Sequence, residues 1–276
     1  MKSKIFIKFI NGIPTKQRSM DLQLNHKKFV VIGASSGFGK AVSKLLIADG
    51  AKVIAVARDV QKLTHCAEEF GPLYMPFQGD ITSDFFQQKL IEKINAEEVH
   101  GILLNSSGPP ARKFLETTLN DWDQAYAGLL RWKVALLKEL LPYFAARNYG
   151  RLVFIESATV KQPLDNLILS SSLRLSVVGL VKSISNELQS ANVTLNIMGP
   201  GYHDTSALDR LFSKYAEDHK CSYDEAKFQM MQSMPMKSLG NPNDFAALAC
   251  YLLSPLSAYI SGQCFSVDGK VIKGIF

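Results

Sequence analysis

The segment 29–40, FVVIGASSGFGK, constrains the fold most. A β-branched run meets three glycines, Gly33, Gly37 and Gly39, and then opens a stretch of helical period, the pattern of a strand–turn–helix unit that holds a nucleotide. Glycine at these points lets the chain turn sharply, brings backbone N–H groups close to a diphosphate and packs the helix tightly on its strand. The anion then sits at the positive end of the helix. An ordinary βα turn is the competing reading, and the strand before and helix after the glycines weigh against it.

Onward from Phe29, short β-branched runs alternate with longer amphipathic segments, an order that produces a parallel sheet covered on both faces. Strands are expected at 29–32, 53–57, 74–78, 102–105, 152–155, 194–198 and 264–267, and helices at 39–49, 60–70, 85–95, 121–147, 167–190 and 244–253. Seven strands with right-handed crossovers define an α/β, doubly wound Rossmann fold. A chain of 276 residues with 47% apolar side chains can bury one large core, so residues 28–276 are expected to form a single domain. Residues 203–240 carry no strand signal and are read as a helical lid. The methionines near their end, Met230, Met231, Met234 and Met236, suit an adaptable substrate wall, with plain core packing as the alternative.

The formal charge of +6 is misleading, because residues 1–20 hold Lys2, Lys4, Lys8, Lys16 and Arg18 with no acid. The rest is nearly neutral and shows no basic stripe, which argues against a nucleic-acid partner. The run 5–10 is interrupted by Lys8 and is too short for a signal peptide or a membrane span. Residues 1–27 are therefore expected to be a flexible leader, an organellar presequence and an upstream start ahead of Met20 being the alternatives. Cys66, Cys221, Cys250 and Cys264 lie far apart with no metal-ligand spacing, so they are expected to be core thiols in a reducing compartment, with no metal bound. These features together point to a soluble cytoplasmic protein without a membrane partner.

The spacing Gly-x-x-x-Gly-x-Gly after a first strand resembles that of the short-chain dehydrogenase/reductase family, and the likeness extends over nearly all of the chain after Phe29. Asp80 in GDIT resembles the family's adenine-binding aspartate. Asn105 and Gly108 in LLNSSG match two positions of its Asn-Asn-Ala-Gly stretch. The turn Pro200–Gly201 and Thr205 resemble its nicotinamide contacts. The resemblance implies cofactor contacts at Gly33, Ser35, Ser36, Gly37, Phe38, Gly39, Asp80, Ile81, Asn105, Gly108, Pro200, Gly201 and Thr205. The second strand ends on Ala57 rather than an acid, and Arg58 follows, which favours NADP with NAD as a possible alternative; a solvated arginine is the other reading.

In this family a serine polarises the carbonyl, a tyrosine thirteen residues on donates the proton, a lysine four further on lowers its pKa, and an asparagine completes a relay. Ser157 matches the serine, but Ser170 and Arg174 stand where tyrosine and lysine are expected, and 121–147 contains no asparagine. One helical turn separates positions 170 and 174, so they share a face. An aliphatic alcohol is a far weaker acid than a phenol of pKa about 10, and a guanidinium does not relay a proton. Arg174 is thus a binding residue, expected at the nicotinamide ribose. Tyr202 is a speculative proton donor against a packing role. A Ser-x-x-x-Arg arrangement also occurs in an offshoot that resembles 3-oxoacyl-carrier-protein reductases, and VKQPLDNLILSSSLR is similar to it.

Two main functions follow as expectations: NADPH-dependent reduction of a carbonyl or acyl-type small molecule with an atypical proton donor, or an inactive nucleotide-binding regulator or partner subunit. A lyase or isomerase that reuses the pocket is a third. The apolar faces of 121–147 and 167–190 are expected to make a homodimer or homotetramer, internal packing being the alternative.

Overall fold

The computed structural model describes residues 20–188 and 192–275. Strands β1 (Lys28–Ile32), β2 (Lys52–Ala57), β3 (Tyr74–Gln78), β4 (Gly101–Asn105), β5 (Gly150–Ile155), β6 (Val193–Pro200) and β7 (Cys264–Val267) form a seven-stranded sheet in the order β3-β2-β1-β4-β5-β6-β7. Every pairing is parallel. All of β5 and β6 is buried, the polar Arg151, Thr194 and Asn196 included, as befits strands covered on both faces.

The helices α1 (Gly37–Ala48), α2 (Val60–Phe70), α3 (Asp84–Glu97), α4 (Leu119–Tyr126), α5 (Trp132–Ala146), α6 (Ile168–Glu187), α7 (Asp209–His219), α8 (Tyr223–Ser233) and α9 (Pro242–Leu253) surround the sheet. One apolar layer joins Val31, Val42, Leu46, Phe245 and Leu252; the other joins Val30, Leu90, Trp132, Leu136, Val177 and Val181. The doubly wound Rossmann fold expected from the alternation is therefore present. Strand order reverses between β1 and β4, and in such sheets the crevice outside the carboxyl ends at that point receives the ligand.

Three expectations need correction or refinement. Of the leader, residues 20–27 pack on the domain: Leu24 is 1% exposed, and the His26 N–H donates to the Gly50 carbonyl at 3.1 Å. Leu22 and Leu24, two apart, provide the apolar contacts that hold this stretch down. Residues 1–19 lie outside the described residues. The 121–147 helix is α4 and α5 joined by a wider π-helical turn, Ala127–Arg131. The segment 203–240 folds mainly as α7 and α8; Met234 is buried in it, whereas Met236 is exposed.

Although α6 is long and apolar enough to cross a membrane by length and composition, it lies on the sheet through Val177 and Val181. Cys66 and Cys250 are buried, Cys221 and Cys264 are half-buried, and all four are free thiols. No group of metal-ligating side chains occurs among the described residues.

Candidate active site

A cleft of about 860 Å³ opens over the carboxyl ends of β1, β4, β5 and β6. Its wall includes Gly33, Ser35, Ser36, Gly37, Phe38, Arg58, Asp80, Ile81, Asn105, Gly108, Ser157, Ser170, Arg174, Pro200, Gly201 and Thr205. Gly39, the remaining expected site residue, lies behind the turn. A Cβ there would overlap the Gly33 carbonyl, so the glycine is needed for close helix–strand approach. Gly33 and Gly37 have φ of +76° and +49°, the left-handed region that favours glycine.

The helix starts show what the turn can bind. Asp59, Ser83 and Thr118 each accept a backbone N–H at the first turns of α2, α3 and α4, whereas α1, α5, α6 and α7 have no side-chain cap; of these, α1 follows the glycine turn directly, with Ser36 as its N-cap. Its first N–H groups therefore face the cleft without a side-chain acceptor, a donor set that fits a diphosphate. Farther along, Asp80 accepts from the Thr82 N–H at 2.9 Å and its hydroxyl at 2.8 Å, holding the loop after β3. Phe38 packs on Phe245 and His203, with ring centroids 4.1 and 5.0 Å away, and so ties the turn to the segment after β6.

At the other end, Ser157 follows β5. Its Oγ accepts the Thr159 N–H at 3.2 Å, which fixes the hydroxyl and leaves its proton to donate elsewhere. Beneath it lies a buried ion cluster absent from the sequence reading. Glu156 receives Lys133 Nζ on Oε1 at 2.7 Å and Arg174 Nη1 on Oε2 at 3.0 Å, with the Lys133 and Glu156 side chains fully buried. The π-helical turn shifts the helix register just before Lys133, which then reaches inward and also donates to Ser106 Oγ at 3.2 Å. Burial lowers the Lys133 pKa, with Glu156 opposing that fall and Arg174 adding to it.

Arg174 directs its guanidinium at the protein. Nε donates to Ser170 Oγ at 3.2 Å, Nη1 also to the Ile155 carbonyl at 3.2 Å, and Nη2 to the Ser106 and Ser107 carbonyls at 3.3 and 3.5 Å. With Glu156 these acceptors match its five N–H donors, so in this arrangement it braces the ends of β4 and β5 from the cleft wall. Ser170 is 3% exposed and held by that guanidinium. Tyr202 lines the cleft, its phenol pKa raised by burial and then by Asp165.

Sequence reasoning missed Lys133, Glu156, Ser106, Lys62 and Arg210. The first two left a signal: each is a lone charge in an apolar run, WKVALL and LVFIES. Lys62 lines the cleft together with Arg58, one helical turn before it, and that spacing was the available clue.

The fold and the cleft at its switch point together define a Rossmann-type nucleotide-binding protein. The family model for short chain dehydrogenase matches residues 27–216, and the chain belongs to that family. It is similar to Nodulation protein G of Rhizobium sp. (strain N33), 27% identical with 90% of this chain and 97% of that protein covered. It is likewise similar to the 3-oxoacyl-[acyl-carrier-protein] reductase FabG of Aquifex aeolicus (strain VF5), 25% identical with 91% and 99% covered. Its fold matches that of the L-sorbose reductase from Gluconobacter frateurii complexed with NADPH and L-sorbose, with a TM-score of 0.84, 21% identity and 93% and 100% of the two chains covered.

Proposed function

We propose that this protein is an NADPH-dependent reductase of a small carbonyl or acyl-type substrate. The uncapped start of α1, opening into a cleft that runs on to Ser157, carries the reading. The Gly33–Gly39 turn holds the diphosphate, Asp80 and Ile81 border the adenine, and Asn105, Gly108, Pro200, Gly201 and Thr205 enclose the nicotinamide end. When bound, NADPH would supply the hydride, and the proton that completes the alcohol would come from solvent water, since Ser170 and Arg174 are poor proton donors. Ser157 donates its hydroxyl proton as a hydrogen bond to the substrate carbonyl oxygen, while Arg174 positions the β4 and β5 ends through the bonds described above. Ser170 is a positioning residue through Arg174, since its hydroxyl is a poor acid at neutral pH.

The test is calorimetric titration with NADPH beside an assay of its oxidation over carbonyl and enoyl-thioester substrates. Ser157→Ala should bind NADPH as the parent does and lose about 10²-fold in kcat, the usual cost of one donor to a developing oxyanion. Tight binding without turnover on any substrate supports the second reading, an inactive nucleotide-binding regulator or partner subunit. That reading is favoured by the closed Lys133–Glu156–Arg174 cluster below the serine.

Arg58 and Lys62 prefer a 2′-phosphate to a free hydroxyl. Arg58→Ala should raise the Kd for NADPH at least about tenfold, the worth of a charge-assisted hydrogen bond, and leave NADH within a factor of two or so. Equal losses for both nucleotides would remove Arg58 from that role. We place the protein in the cytoplasm on its free thiols, and assign it a second copy as partner through the outer face of α6, where Leu175 is 52% exposed. Light scattering of the purified protein reads the latter.

A further inference from the structure

Arg210, in the first turn of α7, reaches back to the loop after β4. Its Nη1 donates to the Pro109 carbonyl and its Nε to the Ala207 carbonyl at 3.2 Å. The guanidinium lies over Gly108, where a Cβ would run into it. It lines the same cleft as Ser157 and Tyr202.

Like the buried Arg151, which donates only to carbonyls and to the Asn192 amide, Arg210 has no acidic partner among the described residues, but of the two it is Arg210 that lines the cleft. Glu156, by contrast, serves both Lys133 and Arg174. The acid next to Arg210 in the chain is engaged elsewhere, since Asp209 accepts from the Tyr223 hydroxyl at 2.8 Å. Burial, followed by repulsion from Arg174, brings the Arg210 pKa down to about 10. The half-buried guanidinium borders the cleft and bonds only to neutral carbonyls, so it has no counter-ion among the described residues, and a carboxylate is the acceptor its planar fork matches.

Resting on the reductase reading, we propose that Arg210 is an anion subsite and that the substrate is an oxo acid, its carboxylate held by Arg210 while its carbonyl meets Ser157. The cofactor diphosphate is the other source of negative charge in the cleft. It belongs at the start of α1, whereas the guanidinium rests on the loop after β4.

The experiment compares 2- and 3-oxo acids with their methyl esters, which keep the carbonyl and remove the charge. Calorimetry on the NADP-loaded protein reads binding, NADPH oxidation reads turnover, and a separate NADPH titration reads the cofactor. The acid that fits best should bind at least about tenfold more tightly than its ester. Arg210→Met should erase that difference, raise KM for the acid by about 10²-fold and leave NADPH affinity within twofold; Arg210→Lys should recover part of it. If no acid binds more tightly than its ester the proposal is overturned, with or without turnover. It is also overturned if Arg210→Met weakens NADPH and not the acid, which would assign the guanidinium to the diphosphate. Failure of NADPH to bind at all would sink the reductase reading itself, and the same acid and ester titrations on the unloaded protein would still decide the subsite.

Discussion

Glu156→Ala should lower the unfolding free energy by about 3–5 kcal/mol, the penalty for breaking a buried ion pair from one side. The substitution removes the carboxylate shared by Lys133, which is fully buried, and Arg174, whose side chain is 5% exposed. Two cations would then face each other in a desolvated site, with only neutral oxygens from Ser106, Ser107, Ser170 and Ile155 around them. For a chain of this length such a loss corresponds to a drop of roughly 10 °C in Tm. Lys133→Met should cost much less, because it leaves Glu156 paired with Arg174 and replaces an ammonium by an apolar group of similar length. The order of the two variants is the informative result. A Glu156→Ala protein within about 1 kcal/mol of the parent would show that the cluster is not the closed unit described here.

The same variant has a pH signature. Lys133 already titrates below the ordinary lysine range because of burial, and Glu156 is the group that raises it. Without that carboxylate the folded-state pKa falls further, while the unfolded value stays near 10.4. Between those two values the unfolded chain binds the extra proton, so stability must rise with pH. The parent gains stability with pH in the same way above its own depressed Lys133 pKa, so the deficit of Glu156→Ala should be widest near neutrality, shrink as pH is raised to that pKa and stay level above it, in denaturant titrations at fixed ionic strength.

The part of this molecule written in local pattern was legible, and the part written in register was not. The bounds expected for α2, β3 and β7 are those observed, because each is a periodic run bounded by turn residues. Local glycine chemistry likewise located the turn of Gly33, Gly37 and Gly39. The cluster is different in kind. A single π-helical turn at Ala127–Arg131 leaves the apolar periodicity of 121–147 almost intact, yet it rotates everything after it and turns Lys133 inward. The search for a relay asparagine in that helix therefore ended on an absence, although a lysine had taken an inward position. Counting from Ser157 located Ser170 and Arg174 but could not show that Glu156, the residue just before Ser157, would neutralise the arginine. Residues 22–24 show the same limit: two leucines carry no periodic signal, yet Leu24 is buried and Leu22 packs against the same core.

Gly39→Ala offers the sharpest test of the cofactor site, because two effects of opposite sign meet at one atom. Gly39 has an ordinary helical position in α1, and alanine in a helix interior is favoured over glycine by about 1 kcal/mol. Propensity alone thus predicts a more stable protein. Packing predicts the reverse, since the added methyl would overlap the carbonyl of Gly33 and crowd the Ala34 nitrogen, both of them backbone. Gly33 cannot retreat easily: its φ is +76°, its N–H is bonded to the Val56 carbonyl at 2.8 Å, and Asn105 closes its other side. Relief must come from the start of α1 lifting off β1, which moves the uncapped N–H groups away from the diphosphate position. NADPH affinity should fall by at least about 10²-fold, as several charge-assisted hydrogen bonds are weakened together. Gly179→Ala is the control, a helical glycine with no atom of its own chain near its would-be Cβ and outside the cleft, and it should leave NADPH binding unchanged. If Gly39→Ala binds NADPH as tightly as that control does, the diphosphate is not held by this turn, and the nucleotide must be sought elsewhere in the cleft.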